Sequence, residues 1–468
     1  MALQFTLNGE RREVSGVSPT MTVLDYLREN AELTGTKEGC AEGDCGACTI
    51  VLAETTDGKP QYKAVNACLL MVPQLDGKHV FTVEGLSASD DLLDPVQDAM
   101  VKTDGTQCGF CTPGIIMSLF ALRQSDAEVT EGEIHDTLAG NLCRCTGYRP
   151  IVEAAREACV AQPDGSALAT LDASDSYQKA DQTFHTPKSI DEMAKVFAAN
   201  PEANLLGGGT DLGILVSKER EALSTVIHTG RVAELLQIDE TDTDITFGAA
   251  VTYTEALPFI ERLYPSFATL ITRIGSVQIR NVGTIGGNIG NASPIGDTPP
   301  CLIALDATLI LYSEAGEREL PIEEFFLDYR KTDLKAGEFI KAVRIPKLSE
   351  TQEFRTYKIS KRYDQDISAV VGAYRIELEG DAVSDVRIAY GGMAAIPKRG
   401  VACEAALIDN AWDLATAMTM LGVVQEDYQP ISDHRASKEY RLQVAGNLFQ
   451  RLYQDLSGVD QTLEVVAV

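Results

Sequence analysis

No stretch of this sequence is apolar for long enough to span a bilayer. The longest apolar runs, ACLLMV at 67–72 and GIIMSLFAL at 114–122, fall well short of the ~20 residues a membrane helix needs. The N-terminus, MALQFTLNGERREVSG, lacks the basic segment and apolar core of a secretory signal. Arg11 and Arg12 are adjacent, but the polar residues after them leave a twin-arginine signal nothing to insert. A cytoplasmic chain is therefore expected. Basic residues are also scarce, 40 against 69 acidic ones for a net charge of −29. Such a surface repels phosphate backbones and anionic headgroups, so neither nucleic acid nor a membrane is an expected partner. A G-x-G-x-x-G turn is missing as well, which leaves a Rossmann reading unsupported.

What the chain does have is cysteine. Its 468 residues, 44% hydrophobic and 23% charged, suit an ordinary globular protein of roughly three or four domains. Eleven cysteines in a cytoplasmic chain are more readily ligands or buried thiols than disulfides. Nine of the eleven precede residue 160, and only Cys301 and Cys403 follow.

The segment GCAEGDCGACTIVL at 39–52 supplies Cys40, Cys45 and Cys48, with Cys68 further on. C-x4-C-x2-C followed by a distant fourth cysteine is the spacing by which plant-type ferredoxins hold a [2Fe-2S] cluster. Gly39, Gly43 and Gly46 would let the backbone pass close around it with N–H groups aimed at sulfur. The flanks suit a ferredoxin-like fold: LQFTLNG alternates like a strand with a turn at Asn8-Gly9, TVLDYLREN is helix-like, and KHVFTVEGL is a further strand. A zinc site, which prefers two separated ligand pairs, and plain reduced thiols are the alternatives.

A second set follows, Cys108 and Cys111 in QCGFCTPG and Cys143 and Cys145 in NLCRCTGY. Four soft ligands suit zinc or a second cluster equally. Their surroundings read as a helical bundle. Thr112 is expected to cap a helix with Pro113 at its first position. Thr130 and Glu133 make a capping box for another helix running toward Gly140. A last helix is expected from Pro150, with Cys159 within it as a buried core thiol.

Two glycine-rich segments, NLLGGGTDLGILV and QIRNVGTIGGNIGNASPIGDTPP, lie beyond a polar stretch without periodicity. Glycine turns let backbone N–H groups approach a pyrophosphate, so the pair suggests a dinucleotide clasped from both sides; tight turns alone are the simpler alternative.

The order of the C-x4-C-x2-C loop, C-G-F-C-T-P-G and C-R-C-T-G-Y resembles the iron-sulfur region of molybdenum hydroxylases of the xanthine dehydrogenase family, over about residues 1–160. The resemblance implies a second [2Fe-2S] cluster on Cys108, Cys111, Cys143 and Cys145, and Gln107 near the pterin of a partner. LLGGGTDLG and RNVGTIGGNIGNASPIGD resemble the family's FAD loops, on a fold shared with vanillyl-alcohol oxidase-type flavoproteins. The implied FAD residues are Leu205, Leu206, Gly207, Gly208, Gly209, Thr210, Asp211 and Leu212 on one loop. Thr284, Gly287, Asn288 and Asp297 belong to the other. TYKISKRYDQDISAV resembles the segment at the flavin ring, with Lys358 in contact with the flavin and Ile340 expected nearby. Asp364 and Asp366 fall where the family has an acidic cluster near the nicotinamide, although a solvated turn between two strands explains each as well. His434 and Arg435 match a family-like stretch that a charged helix start also explains.

The implied fold is α+β and multidomain: a β-grasp ferredoxin-like domain at 1–87, a helical [2Fe-2S] domain at 88–161, a linker at 162–177, an α+β FAD-binding domain at 178–350 and an α+β C-terminal domain at 351–468. No region resembles the molybdopterin-binding domain, so the resemblance assigns the molybdenum cofactor to a large partner subunit in an α2β2 assembly. Electrons from hypoxanthine or xanthine would pass through the helical-domain cluster, the ferredoxin-like cluster and FAD to NAD. The competing readings are an equivalent subunit acting on an aldehyde or another N-heterocycle, a stand-alone NADH diaphorase, and a zinc-stabilised scaffold.

Overall fold

Asn8 and Gly9 both take the left-handed backbone, with φ of 53° and 84°, which matches the twist of a two-residue hairpin. Strand Leu3–Leu7 therefore folds straight back on Glu10–Val14. Leu3, Phe5 and Leu7 face inward while Glu10, Arg11 and Arg12 stay exposed, giving one buried and one solvated side. The computed structural model describes residues 2–56, 58–87, 92–125, 129–159 and 168–458, and they divide into two compact units.

The first unit comprises residues 1–232 and 275–283. Its first sheet has the order Glu10–Val14, Leu3–Leu7, His79–Phe81, Thr49–Thr56, Lys59–Asn66. Leu3–Leu7 runs parallel to His79–Phe81 at the centre and antiparallel hairpins flank it, the topology of a β-grasp. The expected helix at 22–30 is one turn, Val23–Asp25, capped by the Thr22 hydroxyl, that widens into a π-helical turn over Tyr26–Asn30. KHVFTVEGL is a strand only to Phe81; Val83–Gly85 tightens into a 3-10 turn.

Four helices follow: Pro95–Lys102, Thr112–Arg123, Glu131–Ala139 and Arg149–Ala158. Every residue from Gly114 to Phe120 is buried, because this helix is covered on two sides. Ile115, Ile116 and Leu119 pack into the bundle, and Met117 and Phe120 pack on Val51, Tyr62 and Phe81 of the sheet. Cys111, not Thr112, sits at its N-cap; Thr112 and Pro113 already lie in the first turn. The Thr130–Glu133 capping box is formed as the sequence indicates, the Thr130 hydroxyl accepting the Glu133 N–H. The last helix starts one residue before Pro150 and ends at Ala158, so Cys159 is its buried C-cap.

Of the expected linker, residues 162–167 lie outside the described residues. Ser174 donates its N–H to Asp76 Oδ2 at 2.6 Å, and a strand already begins at Ser176. It belongs to a sheet ordered Ser176–Lys179, Gln182–His185, Thr225–His228, Asn204–Leu206, whose last two pairings are parallel. The short helix Val277–Arg280, capped by Ser276, completes this unit.

The second unit comprises residues 233–274 and 284–468. One antiparallel sheet is ordered Ile238–Glu240, Asp244–Gly248, Phe339–Pro346, Thr308–Ser313, Gly316–Pro321. Helices Tyr253–Leu263, Pro265–Thr272 and Thr298–Ala304 bury their apolar sides in the same core. A second antiparallel sheet, Gln352–Ile359, Val370–Glu379, Ala382–Gly391 and Lys398–Arg399, packs against the closing helices Leu414–Asp427 and Lys438–Leu456. The fold is multidomain α+β. Among the described residues no helix is long and apolar enough to cross a membrane.

Candidate redox-cofactor sites

The cysteines of the first set meet in pairs. Cys40 and Cys45 share a side-chain hydrogen bond, as do Cys48 and Cys68, and the charge of Cys40 is felt at Cys48 and Cys68. Backbone N–H groups of Glu42, Asp44 and Cys45 point at Cys40 Sγ from 3.4, 3.3 and 3.4 Å. Together with the Cys45 hydrogen bond, the largest influence, they hold the Cys40 thiol at about 5. Asn66 Nδ2 donates to Cys48 Sγ at 3.7 Å; it lies two residues before Cys68, a proximity that could have signalled its role. Gly39 leaves room for sulfur, since a Cβ there would stand 2.6 Å from Cys45 Sγ.

The second set pairs likewise, Cys108 with Cys145 and Cys111 with Cys143. Burial pushes the Cys111 thiol up to about 12. Burial opposes ionisation of Cys143 too, but hydrogen bonds from Thr146 and neighbouring backbone bring it below its ordinary value. Cys108 and Cys145 are exposed, as is Gln107.

Each donor set presents two pairs of thiols, and one pair for each iron is what a two-iron cluster requires, so both sets fit a [2Fe-2S] cluster.

Within the same unit, the first glycine-rich loop rests against the first cysteine site. Gly209 has φ of 80°, and Cβ atoms at Gly209 and Gly213 would approach Leu69 O to 3.1 and 2.4 Å. Leu69 is the neighbour of Cys68. Gly208 crosses the backbone at Val282, where a Cβ would overlap the carbonyl oxygen at 1.7 Å. The loop enters from strand Asn204–Leu206 and leaves into a helix, Leu212–Ser217. Ser217 Oγ donates to Ala41 O at 2.6 Å, and Lys218 pairs with Glu42. Leu206 and Gly209 are buried, Leu205, Gly207, Gly208, Thr210 and Leu212 half-buried, and Asp211 exposed.

In the second unit, Thr284 caps the turn Ile285–Gly290 by accepting the Gly287 N–H at 3.0 Å. Asn288 Oδ1 accepts from Thr298 Oγ1 at 2.7 Å. Asp297 Oδ2 takes Lys358 Nζ at 2.7 Å, and the side chains are only 9% and 2% exposed. Lys358 Nζ also donates to Arg273 O at 2.9 Å, and Ser368 Oγ to Asp297 Oδ1 at 2.6 Å. These contacts satisfy a charge pair that would otherwise be costly to bury. Sequence pattern assigns no role to Ser368, although it lies in TYKISKRYDQDISAV, or to Arg273, because a single hydroxyl and a backbone carbonyl carry no motif. Ile340 is buried in the core of this unit and paired with Leu311. Asp364 and Asp366 lie on the loop 360–369 between two strands, where Asp366 is half-buried, receives Arg362 at 2.7 Å and is held below its ordinary value despite some burial. His434 and Arg435 precede the helix Lys438–Leu456, where Asp433 accepts the Arg435 N–H at 2.9 Å.

Comparisons with known proteins match the chain in four successive stretches. Residues 5–73 match the 2Fe-2S iron-sulfur cluster binding domain and 82–156 the [2Fe-2S] binding domain. Residues 175–348 match the FAD binding domain in molybdopterin dehydrogenase, and 355–456 the CO dehydrogenase flavoprotein C-terminal domain. The xanthine dehydrogenase of Emericella nidulans is 31% identical over 97% of this chain and 38% of its own length. Xanthine dehydrogenase 1 of Arabidopsis thaliana is 33% identical over 90% of the chain and 37% of its own. The chain thus spans less than two fifths of these relatives. Among solved structures, carbon monoxide dehydrogenase from Hydrogenophaga pseudoflava is 27% identical with a TM-score of 0.55, over 57% of this chain and 94% of its own. Quinoline 2-oxidoreductase from Pseudomonas putida 86 is 26% identical with a TM-score of 0.54, over 59% and 96%. With two [2Fe-2S]-binding domains and a flavin domain in one order, the chain belongs to the molybdenum hydroxylase family, as its iron-sulfur and FAD electron-transfer module.

Proposed function

We propose that this chain carries electrons from a molybdopterin-bearing partner subunit to FAD and then NAD, in the oxidation of hypoxanthine or xanthine. The observation that carries the reading is the contact of the glycine loop 206–213 with Leu69, beside Cys68, and of Ser217 with Ala41, beside Cys40. A flavin-binding loop seated on a cluster loop shortens the path between the two. The clusters supply one-electron carriers and FAD the link to a two-electron hydride acceptor.

The residues divide the work. Cys40, Cys45, Cys48 and Cys68 hold one cluster in a half-buried pocket whose N–H groups, aimed at sulfur, favour its reduced state. Cys108, Cys111, Cys143 and Cys145 hold the other at an exposed face with Gln107, where the partner docks. Residues 205–212 cradle the FAD pyrophosphate and adenine, Thr284, Gly287, Asn288 and Asp297 its other side, and Lys358, fixed by Asp297, hydrogen-bonds the flavin with Ile340 nearby. Xanthine is the substrate proposed because relatives named xanthine dehydrogenase align over 84–97% of this chain at 31–32% identity.

An anaerobic optical titration with NADH tests this, with iron, zinc and flavin assayed on the same sample. Iron and FAD present, and both chromophores bleached by NADH, is the expected result. A colourless, zinc-containing chain overturns it. Urate formation from xanthine on adding the partner tests the substrate.

A further inference from the structure

The carboxamide of Gln278, the first residue of the second glycine-rich segment, is completely buried and far in sequence from the paired cysteines. Its Nε2 faces three acceptors: Ser118 Oγ at 3.0 Å, Asn141 Oδ1 at 3.0 Å and Thr49 Oγ1 at 3.3 Å. Each can accept, because Ser118 spends its own proton on Asn141 Oδ1 at 2.6 Å and Thr49 its own on Gly46 O at 2.7 Å. Asn141 Nδ2 then donates to the same Gly46 O at 3.0 Å. Gly46 lies between Cys45 and Cys48, and Asn141 lies two residues before Cys143. The next amide, Leu142 N–H, reaches Cys45 O at 3.0 Å.

Space as well as polarity closes this network. A Cβ at Gly46 would stand 2.1 Å from Gly140 O, one at Gly114 2.2 Å from Gly46 O, and one at Gly140 2.1 Å from Gln278 Oε1. That Oε1 has no hydrogen-bond partner among the described residues, a cost the site bears to keep the amide's donors on the other three. The segment is anchored independently. Arg280, 4% exposed, donates to both oxygens of Asp136 at 2.6 Å, and Asn281 Nδ2 donates to Ala64 O at 2.9 Å.

We infer that Gln278 is a positioning residue for both iron-sulfur sites, a hub that locks the Cys40–Cys48 loop and the loop before Cys143 into one rigid body. The inference rests on the cluster reading above. The N–H groups aimed at Cys40 Sγ belong to the loop that Gly46 O pins, and hydrogen bonds to sulfur raise a cluster's reduction potential. Loosening the hub lets those donors drift, and the effect reaches both sites because Asn141 serves both.

Two variants test it in the full chain, Gln278→Leu and the milder Ser118→Ala, purified anaerobically and assayed for iron, sulfide and FAD. Dithionite titrations followed by electron paramagnetic resonance then give the potential of each centre. Both variants are expected to load iron as the unmutated chain does, and both cluster potentials to fall while the flavin potential stays in place. Potentials unmoved in iron-loaded variants, or a fall at one centre alone, overturn the inference. Should Gln278→Leu fail to fold or load, Ser118→Ala decides by the same criterion. An unmutated chain without iron overturns the cluster reading itself, so the two failures are told apart by its iron content.

Discussion

Each cysteine site sets four thiols in two pairs, yet one reaches into the core and the other lies at the surface. Cys48 and Cys68 are each 2% exposed and belong to the β-grasp core, whereas Cys108 and Cys145 are exposed. Burial of Cys48 and Cys68 excludes water from one half of the first site and makes that half inseparable from the fold, while Cys40 and Cys45 are half-buried. Exposure serves the second by leaving its edge open to a partner, and its ligands rest on helix ends that stand without them. Tightness and access are thus divided between neighbouring sites.

The largest effect should come from removing one ligand at each site. Cys48→Ala is expected to abolish iron at the buried site and to destabilise the chain by about 2 kcal/mol or more, through the hole left in the core. Cys145→Ala should cost the other cluster while leaving the unfolding midpoint nearly unchanged. Iron assays and urea unfolding measure both. Equal losses of stability would break the distinction between the sites.

A smaller contrast comes from one glycine at each. Gly46 has φ of 68° and no room for a Cβ, while Gly109 has φ of 80° and nothing within 4 Å of one. Gly46→Ala should therefore pay for both backbone and overlap, about 3 kcal/mol. Gly109→Ala should pay for the backbone alone, about 1 kcal/mol. Comparable costs in urea would mean that the Gly46–Gly114–Gly140 contact is looser than its distances indicate.

How far the sequence foretold these sites depended on how local each feature is. Cysteine spacing, the Asn8-Gly9 hairpin and the Thr130–Glu133 box are short-range chemistry, and each is legible without a structure. The cap at Thr112 was misplaced by one residue because Cys111 must sit at the helix start for its thiol to meet Cys143, a tertiary demand that overrides capping preference. The apolar stretch after GGGTD carries no sign of its seat against Leu69, which only folding supplies. The role of Gln278 is not legible in the segment it opens, since its partners at 49, 118 and 141 are brought together only by folding.

The least effect tests whether the exposed site really stands on independent helices. Thr130 caps the helix Glu131–Ala139, and Asp136 on that helix receives Arg280. Thr130→Ala removes one capping hydrogen bond, worth about 1 kcal/mol, at the end of the helix opposite to the segment that leads to Cys143. Unfolding should move by that amount while the iron content and the spectrum of the exposed site stay as they are. If iron is lost with the cap, that site depends on the bundle as closely as the buried site depends on its sheet, and the contrast between them reduces to solvent access alone.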